Sequence, residues 1–300
     1  MDSKVRHSIN NYEDIFLQYK KQSQLKYYFS RLKRVKGAMI GLIILIFLVL
    51  ITVLSGVIYD YEIVIKQNIP ERLQSPSKEH PLGTDEFGRD MLARIVYGSK
   101  YSLGISLLAV LIGLILGGFI GVVAGYYGNK VDNILMRLMD ILLAMPMMLF
   151  AMVIVAALGP STINLIIALS ISLIPTFARV VRGAVLTVKD NEYIEASKAI
   201  GSNDFSIIFC HILPNCMAPI IVQTTLRIAT TITNTAAISF LGLGVQQPTP
   251  EWGSLLSAGR SYIRDYSYLT LYPGLAIMIT VLSLNLLGDG LRDTLDPRLK

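Results

Sequence analysis

Charge is scarce in this chain. Asp, Glu, Lys and Arg make up 16% of its 300 residues, where a soluble globular domain carries roughly 25%. Histidine and cysteine are scarcer still, with three of the first (His7, His80, His211) and two of the second (Cys210, Cys216). The histidines fall in a tail, an outer loop and a connection on the opposite side, so they do not converge on a metal ion, and no HExxH or CxxC occurs. Cys210 and Cys216, in a segment expected to face the cytoplasm, read as free buried thiols and not as a disulfide. No GxxxxGK[ST] phosphate loop is present, since Gly98-Ser99-Lys100 and Gly128-Asn129-Lys130 lack its frame. The chain is therefore not expected to hydrolyse ATP. The long apolar runs hold almost no acid, and Asp140 lies near a cytoplasmic boundary, which argues against a carrier driven by protons or sodium through buried carboxylates.

What the chain has is apolar length. Hydrophobic residues make up 53% and the mean hydropathy is +0.54. A membrane-crossing helix needs about 20 such residues to traverse about 30 Å of hydrocarbon. Six stretches qualify: 37–58, one within 101–127, one from about 134 to 158, one from about 162 to 178, one from about 214 to 238 and one from about 269 to 288. The third and fourth are separated by the turn Leu158-Gly159-Pro160-Ser161. The run 37–58 lies too far from the start to be an ordinary signal peptide. In the second stretch, Gly104, Gly113, Gly117, Gly118, Gly121 and Gly125 include pairs near spacing four, a pattern of close helix packing.

Basic residues set the orientation. With the N-terminus inside, 18 Lys and Arg fall on the cytoplasmic side and 8 on the other, so both termini are expected in the cytoplasm. This divides the chain into a tail over 1–36 and a membrane domain over 37–300, with an outer loop at 59–100 and a cytoplasmic connection at 183–213. Residues 12–36 mix aromatics with Lys and Arg, as a surface-lying amphipathic helix would. The formal charge of +6 concentrates beside the membrane segments, where lipid headgroups explain it without nucleic acid.

Two places stand out as candidate sites. The segment 189–201 reads as a short polar helix between spans, with Glu195 beside the small Ala196 and with Gly201 free to take positive φ at its end. Arg227, inside the fifth span, is the one clearly misplaced charge; it either lines a polar path or pairs across a subunit interface, or it snorkels to the cytoplasmic edge.

Several segments occur in a fixed order: His80-Pro81-Leu82-Gly83-Thr84-Asp85 with Gly88-Arg89-Asp90; Val131-Asp132-Asn133 through Arg137-Leu138-Met139-Asp140; Glu195-Ala196-Ser197 through Gly201, then His211-Ile212-Leu213-Pro214-Asn215; Ser239-Phe240-Leu241-Gly242-Leu243-Gly244; and Asn285-Leu286-Leu287-Gly288-Asp289-Gly290-Leu291-Arg292-Asp293, continuing to Asp296-Pro297-Arg298. In these the chain resembles the inner-membrane permeases of ABC importers, in particular the second permease subunit of the dipeptide, oligopeptide and nickel group, over about residues 31–300. Ser197 stands where the family's Glu-Ala-Ala loop has its second alanine, and Thr235 stands near a position where relatives often carry glutamate.

The resemblance implies an all-α protein with six transmembrane helices in the type I importer arrangement, in the inner membrane. It implies a non-catalytic subunit that works with a second homologous permease, two cytoplasmic ATPases that carry the ATP and Mg, an extracytoplasmic solute-binding protein, and lipid. By the same resemblance, Glu192, Glu195, Ala196, Ser197, Gly201, Ile212, Leu213 and Pro214 would couple to the ATPase, with Pro214 ending the connection as the next span begins. Gly83, Thr84, Asp85 and Trp252, in the outer segments 59–100 and 246–264, would face the binding protein. Arg227, Asn234 and Thr235 are candidates for the pathway or a subunit interface. Peptides are favoured as solute over nickel or a metal chelate; an ATP-independent channel or a secondary carrier is the remaining alternative.

Overall fold

Backbone that crosses lipid must satisfy its own hydrogen bonds, and the computed structural model, which describes residues 30–295, is built of helices joined by short connections. The surface helix expected over 12–36 lies, apart from its end, outside the described residues. The helices are α1 (Lys36–Ile58), α2 (Tyr61–Ile65), α3 (Met91–Tyr127), α4 (Asn129–Leu143), α5 (Met147–Leu158), α6 (Thr162–Val188) and α7 (Glu192–Ala199). They are followed by α8 (Asp204–Phe240), α9 (Trp252–Gly259) and α10 (Tyr268–Leu295).

Among the described residues, α1, α3, α6, α8 and α10 are long and apolar enough to cross a membrane. The pair α4 and α5, bent by 81°, makes a sixth crossing when counted as one. The expected third helix is thus broken, because Pro146 cannot continue α4 and instead caps α5.

Three spans also overrun their expected ends. Helix α3 starts at Met91, where the Asp90 side chain accepts from the Ala93 N–H; α6 continues past residue 178 to Val188; and α8 begins at Asp204, not near Pro214. Hydropathy marks how much helix lipid covers, whereas caps decide where a helix stops. Pro214 therefore does not end the cytoplasmic connection. It sits inside α8, just after a π-helical stretch (Ile207–Ile212) in which the Leu213 N–H reaches back to the Ile208 carbonyl. A proline has no N–H for the carbonyl one turn back, and widening the turn accommodates that loss.

The main seam joins α3 to α6. A Cβ on Gly113 would stand 2.7 Å from Leu173 Cβ, on Gly117 2.4 Å from the Ile174 carbonyl oxygen, on Gly121 2.5 Å from that of Ala178, and on Gly125 2.9 Å from Val185 Cβ. Spacing of four puts these glycines on one face of α3, and the missing side chains let the two backbones approach. On the far side, α1 turns an uncharged surface outward, with Ile43, Phe47, Val53 and Val57 all exposed, as a lipid-facing helix requires.

Candidate functional site

The short helix α7 owes its position to one residue. Ile194 is fully buried and packs in a single apolar cluster with Val122 of α3, Val181, Val185 and Val188 of α6, and Ile207, Ile208 and Ile212 of α8. Ser197, three residues on, is the other buried residue of α7. Glu192 and Glu195 lie in its first turn, where the helix dipole favours acids, and Glu192, Glu195 and Ala196 all point outward. Gly201 adopts φ +84° and closes the helix through its N–H to the Lys198 carbonyl (3.0 Å), with Ser202 N–H to Ser197 O at 3.1 Å.

Beyond this turn Asn203 accepts from the Ser206 N–H at 2.7 Å, and Asp204 receives the hydroxyls of Tyr126 (2.7 Å) and Tyr127 (3.2 Å) at the end of α3. Two further ion pairs, Arg182 with Asp132 (2.5 Å) and Arg179 with Asp140, fasten α4 to the end of α6. The ends of α3, α4, α6 and α8 nearest α7 thus form one connected body with it. Its outer face carries Tyr193, Ile200, Phe205 and Phe209, of which Ile200 is 82% exposed, and Phe205 and Phe209 lie with ring centroids 4.3 Å apart. Together with Glu192 and Glu195 this is an acidic and aromatic surface that no element covers among the described residues.

Of the residues expected to couple, Glu192, Glu195, Ala196, Gly201 and Pro214 are exposed, whereas Ser197 and Ile212 are buried and Leu213 is half-buried. Ser197 and Ile212 hold the surface from beneath, and Leu213 reaches it only in part. Ile194, Asp204 and the Tyr126-Tyr127 pair are absent from the sequence-based set. The acid after Asn203 and the two hydroxyls ending an uncharged run were their only signal. Cys216 is buried as expected, but Cys210 is exposed, and both are free.

The outer residues need a larger correction. Gly83, Thr84, Asp85 and Trp252 are all buried, so in this structure none presents a surface to a binding protein. Asp85 sits between two buried guanidiniums, 2.6 Å from Arg89 Nε and 3.4 Å from Arg94 Nε. Arg94 reaches on to the carbonyls of Val64 and Pro248 and the amide oxygen of Gln247. Thr84 donates to the Glu71 carbonyl and accepts from the Gln74 N–H. A Cβ on Gly83 would lie 2.7 Å from the Gln74 carbonyl oxygen. The motif therefore folds the outer cap and ties it to α3. The exposed outer positions are instead 66–70, 74–79, 246–248 and 263–265.

Trp252 is pinned by its indole N–H to the Ile95 carbonyl (3.0 Å) and by its backbone N–H to Ser102 Oγ (3.1 Å). Beside it, Glu251 caps α9 by accepting from the Gly253 and Ser254 N–H groups and takes a third bond from Ser102 Oγ. Burial pushes this carboxyl above the usual range, against the pull of its hydrogen bonds. Thr235, also fully buried, lies 3.3 Å from Ser106 Oγ. The polar contact of this part of α8 is thus made between hydroxyls, and Thr235 faces inward, away from any pathway on the exposed side.

His80 gives the outer cap a pH dependence. Its Nδ1 lies 2.8 Å from Asp90 Oδ2, and the hydrogen bond to Asp90 raises its pKa. A raised folded value means that the protonated form stabilises the fold: the contribution is complete below about 6.5, the unfolded value, and is lost as pH rises through the folded value. Hydrogen exchange of residues 66–90 should accelerate above that window. His80→Gln should remove the step; an unchanged step in that variant contradicts the assignment.

Comparison with known proteins agrees with this arrangement. Residues 110–300 match the model of the family described as binding-protein-dependent transport system inner membrane component. Residues 23–76 match the N-terminal TM domain of oligopeptide transport permease C. The chain is 47% identical over 283 residues to a dipeptide transport system permease protein of Alkalihalophilus pseudofirmus, covering 94% of this chain and 93% of that one. It is 43% identical to a di/tripeptide permease of Pseudomonas aeruginosa, covering 93% of each. It is 45% identical to a glutathione permease of Pectobacterium atrosepticum, covering 76% of this chain and 75% of that one. Among solved structures, an inward-facing methionine ABC transporter superposes with a TM-score of 0.57 at 18% identity, covering 69% of this chain and 98% of that one, a likeness of fold.

Proposed function

Because the chain belongs to the family of binding-protein-dependent transport system inner membrane components, we propose that it forms half of the translocation pathway of an ATP-driven importer of di- or oligopeptides. The membrane domain is 37–300, and both termini lie in the cytoplasm, as the excess of basic residues on that side favours. A second permease completes the pathway, two ATPases supply ATP and Mg, and an extracytoplasmic binding protein delivers the solute. The peptide relatives at 47% and 43% identity support the solute class.

The observation that carries the reading is α7, a helix with an exposed acidic and aromatic surface anchored through Ile194 in a core shared by α3, α6 and α8. Docked in an ATPase groove, such a helix cannot move without carrying the cytoplasmic ends of those spans. Closure of the ATPase pair on ATP would then favour the outward-open arrangement, and hydrolysis the inward one; differential binding to two states drives the change. Glu192, Glu195, Ala196 and Gly201 make or shape the contact, while Ser197, Ile212 and Leu213 transmit it.

Mild affinity purification of the tagged chain, with mass-spectrometric identification of its companions, tests the assembly. A second permease and ATPases are expected; an isolated homomer that transports without ATP would contradict it.

A further inference from the structure

One face of α8 carries a polar stripe, unlike the apolar surface that α1 turns outward. Gln223, Arg227, Thr230 and Asn234 follow one another at spacings of four, three and four, which places them in one stripe. Ile220, Thr231, Ile232, Thr235 and Ile238, beside and behind the stripe, are buried, and Gln223, Arg227 and Asn234 are half-buried. Arg227 stands about 20 Å along the helix from Phe240 at about 1.5 Å per residue, well inside the span. A polar stripe at that depth faces protein or a water-filled path and not lipid.

The charge of Arg227 has no counter-ion among the described residues. No carboxylate among the described residues forms an ion pair with it, and the central parts of the spans hold no Asp or Glu. Its neighbour is the Gln223 amide: with the oxygen turned toward the guanidinium, that amide accepts from Nε at 2.7 Å and from Nη2 at 3.0 Å. Gln223 also lines a cavity of about 450 Å³ between α6, α8 and α10, to which α10 contributes a second cation, Arg292. Arg292 likewise makes no ion pair among the described residues, and Asn234 makes no side-chain hydrogen bond there.

The largest helix interface, the seam of α3 and α6, is built differently, around glycines. A stripe of amide, guanidinium, hydroxyl and amide suits a hydrated solute carrying backbone amides and one negative end. We propose that this stripe lines the solute path and that Arg227, oriented by Gln223, receives the terminal carboxylate of the transported peptide. The assignment rests on the peptide-importer reading and adds to it the group the permease recognises. A guanidinium presents two parallel N–H donors to a carboxylate and none that suits a carboxamide equally well.

The test uses the complete importer with its binding protein, reconstituted in vesicles, and compares uptake of a dipeptide with uptake of its C-terminal amide. Discrimination by the binding protein is common to all permease variants and cancels in the comparison. Arg227→Gln should lower uptake of the free acid about tenfold or more, leave uptake of the amide nearly unchanged, and so collapse the acid-to-amide ratio; Arg227→Lys should retain most of it. Equal loss for acid and amide, an unchanged ratio, or failure of the Gln variant to assemble with the second permease overturns the assignment; failed assembly would place the partner charge on that subunit. Absence of ATP-dependent uptake in the unaltered complex overturns the importer reading itself, and this inference with it.

Discussion

Gly117→Leu should abolish the folded permease, while Gly104→Leu, thirteen residues earlier in the same helix, should leave it intact. A Cβ at Gly117 meets the Ile174 carbonyl oxygen at 2.4 Å and Phe177 Cβ at 2.9 Å, and a Cβ at Gly104 meets nothing within 4 Å. Overpacking a tight core costs about 1–3 kcal/mol where side chains can shift, and more where they cannot. Here the obstacle is backbone of a helix held near its start by Leu165, Ala168 and Leu169 in one apolar cluster, and toward its end by the ion pairs of Arg179 and Arg182 with α4 and by the cluster around Ile194. Relief requires α3 and α6 to separate along the seam of Gly113, Gly117, Gly121 and Gly125. Monodisperse yield in mild detergent and thermal unfolding of the survivors measure the effect. Equal yields for the two leucine variants would mean that the seam is not the organising contact.

Glu195→Lys and Ile200→Asp should uncouple transport from ATP hydrolysis without harming membrane assembly. Both residues are exposed and make no contact that holds α7 in place, since that task falls to Ile194. An interface residue of the strongest class costs about 2 kcal/mol or more when altered, which corresponds to roughly 30-fold in affinity for the ATPase. Uptake should fall by a comparable factor, and the ATPases should separate from the permease on purification. Ile194→Asp is the contrasting variant: it buries a charge in the cluster and should lower the yield of the chain itself. Full uptake in both surface variants would remove α7 from the coupling pathway. Gly201→Val should act partly through strain, because φ +84° suits glycine, and a β-branched residue adopts it at a cost.

How much of this was legible before the structure depended on which force set each feature. Lipid demands apolar length, so the spans could be read from hydropathy, and the small residues of α3 from their spacing. Helix ends answer to local chemistry, so Asp90 extends α3 to Met91 and Asn203-Asp204 begins α8 well before the hydropathy rises. The bend at Pro146 was hidden because apolar sequence continues through it.

At the candidate site, the polar helix with its terminal glycine was recognisable, but the residue that fixes it, Ile194, looks like any other apolar residue in a connection. Its importance comes from partners on three distant helices. The outer motif misled for a related reason. A polar, glycine-containing loop reads as a recognition surface, yet Asp85 pairs with Arg89 and Arg94 in the interior, and Trp252 is consumed in anchoring α9. Long-range pairing turned an apparent surface into a core.

On the proposed function, this chain, through α7, lets ATP hydrolysis on a partner drive peptides across the membrane. The most direct measurement is uptake of a labelled dipeptide into vesicles holding the reconstituted complex, with binding protein outside and ATP enclosed, compared with the Glu195→Lys complex. Accumulation that needs both ATP and the binding protein, and that collapses in the variant, is the expected result. Accumulation without ATP, or equal accumulation in both complexes, would contradict the account.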